Sequence, residues 1–175
     1  KIIEAMVKAG KKDLTVICND TSYPEIGSGL LVASGCVKKV IASHIGTNPI
    51  TEQKMKEGTM EVELVPQGTL AERVRIGGAG IGGFLTATGV GTLAAEGKRT
   101  IEVDGKEYLL ELPLRADVAL IGASVADKHG NLIYRGTSQN FNPLMATAAD
   151  LVIAEVSESV ESLAPEAIKT PYLFV

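Results

Sequence analysis

Short β-branched runs alternate along the chain with stretches whose apolar residues have helical spacing. The runs that predict strands are 14–18, 37–42 and 60–65, and the stretches that predict helices are 23–34, 51–57 and 69–76. At the start of the chain, apolar residues at positions 2, 3, 6 and 7 share one helix face, which Gly10 is suited to end. This alternation is typical of an α/β domain with a largely parallel sheet.

Later segments predict antiparallel pairing. Asp104, Gly105 and Lys106 separate two predicted strand runs, 100–103 and 108–112, and favour a hairpin. The further predicted elements are strands at 117–121 and 132–135 around a turn at 127–131, a short helix at 143–149 and a strand at 151–155. We therefore expect an α/β fold with an open, mostly parallel sheet, helices on both faces and an antiparallel hairpin annex, in a single domain over residues 1–175.

The two ends of the sequence predict a fragment. A helix followed directly by a strand is the second half of a βαβ unit. The other end, 171–175, stops inside an apolar stretch. We expect the chain to lack an N-terminal strand and loop and a few C-terminal residues.

Composition excludes several classes of protein. The net charge is −4 and there is no run of Lys or Arg, which argues against a nucleic-acid partner. The sequence has no run of 18 consecutive apolar residues, so no membrane span is predicted. The two cysteines form no CxxC motif, so we expect a reduced, cytoplasmic protein, with Cys18 packed as a thiol in its apolar run. Only 4% of residues are aromatic, so the core must be aliphatic.

Seven of the 19 glycines lie between positions 77 and 91. Gly78, Gly80 and Gly83 formally satisfy GxGxxG, but a dinucleotide fingerprint follows a strand and opens a helix, whereas 69–76 has helical spacing. A non-catalytic dinucleotide-binding module is therefore only an alternative. We predict instead a long glycine-rich loop after a helix, serving as a binding surface or a subunit contact.

Polar residues follow three predicted strands. Pro66 ends the third strand, so Gln67 lies beyond its carboxyl end, where open α/β sheets bind ligands. Thr69 is predicted to cap the next helix in a capping box with Glu72. Gln67 then offers amide donors near a helix N-terminus, as an oxyanion site requires. The pairs 19–20 and 43–44 follow the other two strands, so these residues are expected to share one rim.

The sequence offers no candidate nucleophile. His44 and His129 lack metal-ligand spacing, so we predict no metal site, and His129 falls in a predicted surface turn. No GxSxG motif occurs, and the carboxylates form no evident catalytic pair.

Several motifs together resemble the alpha subunit of the family I 3-oxoacid/acetate CoA-transferases, over nearly the whole chain. They are NDT at 19–21, IASHIGTNP at 41–49, ELVPQGTLAER at 63–73, GGAG at 77–80 continuing through 86–89, and NFNP at 140–143. The resemblance implies an enzyme that moves coenzyme A from an acyl-CoA to a short-chain carboxylate through a glutamyl-CoA thioester. The family's nucleophilic Glu lies in a Ser-Glu-Asn-Gly motif of the beta subunit, which this chain lacks. The family's GGF loop after the first strand is also missing here, in agreement with the expected loss of the N-terminal strand.

The resemblance also implies roles for individual residues. Gln67 is expected to be an oxyanion donor at the thioester carbonyl, and Asn19 a polar contact at the acyl or thiol end. Phe84 is expected to wall the acyl pocket. Further positions expected in the coenzyme A site are Gly68, Gly77, Gly78, Ala79 and Gly80.

The same resemblance implies a beta-subunit partner, an α2β2 assembly and no cofactor besides coenzyme A as substrate. A sugar-phosphate isomerase of similar fold is a further alternative, although we locate no acid–base pair for it. The acyl chain stays open among acetate, acetoacetate, butyrate and a dicarboxylate.

Overall fold

The computed structural model describes residues 1–175 and divides into two compact units. Unit 1 comprises Lys1–Leu70 and Ala87–Leu109, and unit 2 comprises Ala71–Thr86 and Leu110–Val175. The expectation of a single domain stays a prediction.

The chain forms five α-helices and nine β-strands. In chain order the first seven elements are α1 (Ile2–Lys8), β1 (Leu14–Asp20), α2 (Gly27–Ala33), β2 (Val37–His44), α3 (Pro49–Lys56), β3 (Glu61–Leu64) and α4 (Gln67–Ala79). The remaining elements are β4 (Phe84–Thr86), β5 (Thr100–Val103), β6 (Lys106–Glu111), β7 (Ala116–Asp127), β8 (Leu132–Ile133), α5 (Asn142–Thr147) and β9 (Ala149–Val160).

Unit 1 contains a parallel three-stranded sheet of order β1-β2-β3. Asp20 at the end of β1 is in register with His44 at the end of β2, so the carboxyl ends of both strands meet at one edge. Beneath them an apolar cluster forms the core, with Val32, Val40 and Ala42 buried at 1% exposure or less. This core is aliphatic, as the composition requires.

The predicted hairpin is confirmed. β5 and β6 pair antiparallel with Val103 opposite Lys106, which leaves a two-residue turn. Asp104 and Gly105 have φ angles of 50° and 70°. Two positive φ angles are what a type I′ turn demands, and its twist matches that of the strands. β6 is the central strand of a second sheet, of order β4-β6-β5.

Unit 2 contains a third sheet, of order β8-β7-β9. β7 pairs in parallel with β9 and antiparallel with β8. The antiparallel pair confirms the pairing that the sequence predicts around the turn at 127–131. The buried face of β7 packs with Leu132, Tyr134 and Ala146 in a second core. The α/β class with mostly parallel pairing and a hairpin is therefore confirmed, although the strands are distributed over three small sheets.

Helix α4 corrects two sequence predictions. It begins at Gln67 rather than after a Thr69 cap, because Pro66 O already accepts a hydrogen bond from Leu70 N–H at 2.9 Å. The helix then continues to Ala79, so Gly77 and Gly78 are helical and the predicted loop over 77–91 is wrong in its first three positions. β4 takes a further three positions of that segment, starting at Phe84.

The two helical glycines explain how α4 packs within unit 2. A Cβ on Gly77 would lie 2.0 Å from Leu114 O, and a Cβ on Gly78 would lie 2.1 Å from Thr147 Oγ1. Neither position has room for a methyl group, so glycine lets the helix approach its neighbours closely. None of the helices is both long and apolar enough to cross a membrane.

Candidate functional site

Five polar residues lie at the carboxyl edge of the unit 1 sheet, and we call them the polar rim. Its members are Asn19, Asp20, Ser43, His44 and Gln67. The first two end β1, the next two end β2, and the last opens α4 directly after β3. Adjacent parallel strands end at the same edge, which is why residues far apart in sequence meet here.

Two amide side chains form the centre of the polar rim. Gln67 Nε2 donates a hydrogen bond to Asn19 Oδ1 at 3.0 Å. Ser43 Oγ contacts Gln67 Oε1 on the other side of that amide and donates to the backbone O of Asn19 at 2.7 Å. Ser43 therefore joins the two residues that the sequence singles out.

Each amide has a defined orientation in the structure. Gln67 Oε1 faces the Ser43 hydroxyl, so Gln67 Nε2 faces Asn19, and one of its two N–H groups remains available. Asn19 uses its Oδ1 as an acceptor, which leaves the Nδ2 group free to donate to a ligand. The first-turn N–H groups of α4, beginning at Gln67, add donors at the same helix end. Together these groups make a donor-rich site for an oxygen that acquires negative charge.

Asp20 is held by donors from two loops. Its Oδ1 accepts from Ser22 N–H at 2.5 Å and from Thr47 Oγ1–H at 2.6 Å. His44 Nε2 lies 3.9 Å from Asp20 Oδ2, which is beyond hydrogen-bond distance. The side chain of His44 is 61% exposed. Asp20 is therefore a fixed carboxylate at the border of the polar rim.

Cys18 is a packed thiol and not a nucleophile. Its pKa is raised to about 11, because burial raises the pKa more than a hydrogen bond with Ser28 lowers it, and the nearby Asp20 carboxylate adds to the rise. The thiolate is the reactive form, so a thiol with this pKa is inert near neutrality. The sequence prediction for Cys18 agrees with this environment.

The candidate residues from Gly77 to Phe84 all lie in unit 2. Gly77 is buried, whereas Ala79 and Gly80 are exposed at the end of α4. Phe84 opens β4 and is half-buried. Because the glycines end a helix rather than open one after a strand, the GxGxxG spacing does not form a dinucleotide fingerprint. Coenzyme A binding by these residues and by Gly68 stays a prediction.

The remaining sequence candidates have simple surroundings. His129 is exposed in the turn between β7 and β8, as predicted. The structure contains no group of three or more His, Cys, Asp or Glu residues that could hold a metal ion.

Sequence reasoning missed Thr47, Tyr23 and Ile26, which line a cavity beside Asn19. Thr47 follows the end of β2 by three residues and lies in the IASHIGTNP motif, but neither signal singled it out as a cavity residue.

Comparison with known proteins gives a consistent result. The family model described as coenzyme A transferase matches residues 1–175. The chain is 56% identical over 173 residues to the acetate CoA-transferase subunit alpha of Escherichia coli K12, covering 98% of this chain and 79% of that protein. It is 52% identical over 177 residues to the acetoacetyl-CoA:acetate/butyrate CoA transferase alpha subunit of Clostridium acetobutylicum, covering 100% of this chain and 81% of that protein.

A solved structure supports the fold. An acyl-CoA transferase from Escherichia coli O157:H7, in a thioester complex with CoA, superimposes with a TM-score of 0.85 at 20% identity. The match covers 99% of this chain and 39% of that one. None of these matches supports an isomerase or a dinucleotide-binding module.

Proposed function

Because this chain belongs to the coenzyme A transferase family and is similar to its alpha subunits, we propose that it works with a beta subunit to move coenzyme A from an acyl-CoA to a short-chain carboxylate. Acetate, acetoacetate and butyrate are the proposed carboxylates. Coenzyme A is a substrate in this proposal, and no further cofactor takes part.

One observation carries the proposal: two amide side chains from different strand ends are held together with N–H groups left over. Gln67 and Asn19 are joined at 3.0 Å, and Ser43 holds the far side of Gln67. A thioester carbonyl placed against these donors would be polarised, and its oxygen would be stabilised as it becomes an oxyanion. The nucleophilic glutamate of the family is expected in the beta subunit, which is why the proposal needs a second subunit.

The proposed chemistry runs in two halves. A glutamate carboxylate of the partner subunit attacks the thioester carbonyl carbon, and the coenzyme A thiolate leaves to give an acyl-glutamyl anhydride. The thiolate then attacks the glutamyl carbonyl, which releases the first carboxylate and forms the glutamyl-CoA thioester. The acceptor carboxylate reverses these steps and leaves as the new acyl-CoA. Each attack places negative charge on one carbonyl oxygen.

This chain contributes donors and position rather than a covalent bond. Gln67 is proposed to donate its free N–H to the oxyanion, and Asn19 to contact the acyl or thiol end through Nδ2. Ser43 keeps Gln67 from rotating. A fixed donor of this kind contributes about 3 kcal/mol to transition-state stabilisation.

Assembly and location belong to the same proposal. An α2β2 complex is the proposed assembly, since the relatives are named as alpha subunits. The cytoplasm is the proposed location, on the basis of the sparse, unpaired cysteines in the sequence.

The test uses the chain with and without a beta subunit of the same family. The isolated chain is expected to transfer no coenzyme A, and co-purification with the beta subunit is expected to restore transfer from acetoacetyl-CoA to acetate. Mass spectrometry of the complex after incubation with acetoacetyl-CoA should show a coenzyme A adduct on a beta-subunit glutamate. Full activity of the purified single chain, or an adduct on this chain, would contradict the proposal.

A further inference from the structure

An open cavity lies next to the polar rim within unit 1. Its volume is about 430 Å³, and its lining residues are Asn19, Asp20, Ser22, Tyr23, Ile26 and Thr47. This volume is at the small end of the range for small-molecule sites. Asn19 belongs both to the cavity lining and to the amide pair. A group held in the cavity is therefore adjacent to the proposed oxyanion donors.

The cavity has one apolar side. Tyr23 is 59% exposed and Ile26 is 57% exposed, although both side chains are large and apolar. Each lies in the segment that leads from β1 into α2, and both face the cavity. An aliphatic chain placed against them would remove their apolar surface from water, which is favourable.

The lining also includes a carboxylate, Asp20, with no Lys or Arg beside it in the lining. Asp20 is held in place because its Oδ1 accepts from Ser22 and Thr47. The lining contains no Lys or Arg. The basic group facing Asp20 is His44, whose Nε2 is 3.9 Å from Oδ2 and whose side chain is largely exposed. A second carboxylate entering this cavity would be repelled by Asp20 and would find no guanidinium or ammonium there.

We propose that this cavity takes the acyl group and that Asp20 makes it select uncharged short acyl groups over acyl groups with a terminal carboxylate. Tyr23 and Ile26 contact the acyl chain, and Asn19 marks the end at which the thioester carbonyl lies. The inference rests on the proposed function and adds the substrate class, which the sequence alone left open.

The experiment uses the complex with the beta subunit. Activity is measured with butyryl-CoA and with succinyl-CoA as donors and acetate as acceptor, and the readout is the ratio of the two kcat/KM values. The wild-type complex should favour butyryl-CoA. Asp20→Asn keeps an oxygen that accepts from Ser22 and Thr47 but removes the charge, so it should shift the ratio toward succinyl-CoA by about tenfold or more.

Glu25→Gln is the matched control. Glu25 is an exposed carboxylate between Tyr23 and Ile26 in sequence but does not line the cavity. Its substitution should change the ratio by no more than about twofold, because solvent screens exposed charges. A ratio that is equal in the wild type and in Asp20→Asn would overturn the inference, as would a wild type that favours succinyl-CoA.

A second measurement does not depend on the folding of a variant. The wild-type complex is given acetyl-CoA with equal concentrations of butyrate and succinate, and the two acyl-CoA products are quantified. Mostly butyryl-CoA supports the inference, and mostly succinyl-CoA contradicts it. Absence of transfer to either acceptor contradicts the proposed function itself, so the two failures are distinguishable.

Discussion

The polar rim and the glycine-rich end of α4 are both dense clusters of residues that often serve ligand binding, but the structure uses them differently. In the polar rim, hydrogen bonds among Ser43, Gln67 and Asn19 still leave N–H groups for a ligand. At the end of α4, Leu114 O and Thr147 Oγ1 of unit 2 occupy the space that side chains at Gly77 and Gly78 would fill. The polar rim retains hydrogen-bond donors, whereas Gly77 and Gly78 serve close packing within unit 2.

The difference shows what each residue type reports. A run of glycines reports that something approaches the backbone closely, and in α4 the approaching group is the same chain. Polar side chains at the ends of parallel strands report an edge where the fold has few groups of its own to satisfy them. Unused hydrogen-bonding capacity is therefore a better sign of a ligand site in this protein than glycine density.

The largest expected effect comes from Gln67→Ala in the complex with the beta subunit. Loss of the amide removes an oxyanion donor, so kcat should fall by about tenfold to a thousandfold. Steady-state kinetics with acetoacetyl-CoA and acetate measure the change. Gln53→Ala is the control, since Gln53 pairs with Glu57 on the exposed face of α3, and it should leave kcat unaltered. Unchanged turnover in Gln67→Ala would remove Gln67 from this role.

Gly77→Ala tests whether the glycine end of α4 serves close packing. A Cβ there would lie 2.0 Å from a backbone oxygen, so unit 2 must shift, and the free energy of unfolding should fall by about 1–3 kcal/mol. Denaturant unfolding measures this loss. Gly68→Ala, in the same helix with no atom within 4 Å of the new Cβ, should change stability by about 1 kcal/mol or less. Equal effects of the two substitutions would show that close packing is not the reason for Gly77.

A smaller effect is expected from Ser43→Ala. The Gln67 amide loses the hydroxyl that holds its Oε1, and a hydrogen bond contributes about 1 kcal/mol net, which corresponds to about fivefold in kcat. KM should change less than kcat, because the proposed role of Ser43 is to hold Gln67 rather than to bind the substrate. Ser43→Thr retains the hydroxyl and should recover most of the activity. If Thr and Ala at position 43 behave alike, the hydroxyl does not position Gln67.

The smallest effect concerns a second aspartate, which lies in unit 2. A hydrogen bond from the Asn131 side chain, with further ones from backbone N–H groups, lowers the pKa of Asp127 to about 2. A depressed carboxyl pKa contributes stability above its ordinary value near 4, and this contribution is lost as pH falls from about 4 to about 2.

Asp127→Asn should weaken that acid dependence, and denaturant unfolding at several pH values measures it. Asp117→Asn, at an exposed position of β7, is the control and should keep the wild-type dependence. An identical acid profile for the wild type and Asp127→Asn would contradict the assignment. Asp127 uses its oxygens on Asn131 of its own loop and on Leu163 N–H, whereas Asp20 of the polar rim also borders a cavity.

The sequence predicted those site residues that directly follow a predicted strand. Gln67 and Asn19 could be selected because each follows an apolar run, and parallel strands bring their carboxyl ends together. Ser43 was visible as another strand-end residue, but its contact with Gln67 depends on the register of β2 and on where α4 begins. Tyr23 and Ile26 gave no signal, since exposed apolar residues cannot be told from core residues by type alone.

Sequence alone determined the α/β class, the hairpin at Asp104 and Gly105, the aliphatic core and the family, because these depend on local periodicity, turn chemistry and motif identity. Only the tertiary structure decided that α4 runs through Gly77 and Gly78, since a helix containing glycines is stable there through its contacts with Leu114 and Thr147. It also decided how the amides of Gln67 and Asn19 are oriented and that Asp20 borders a cavity. Those features arise from residues far apart in sequence, and no local pattern encodes the distance between them.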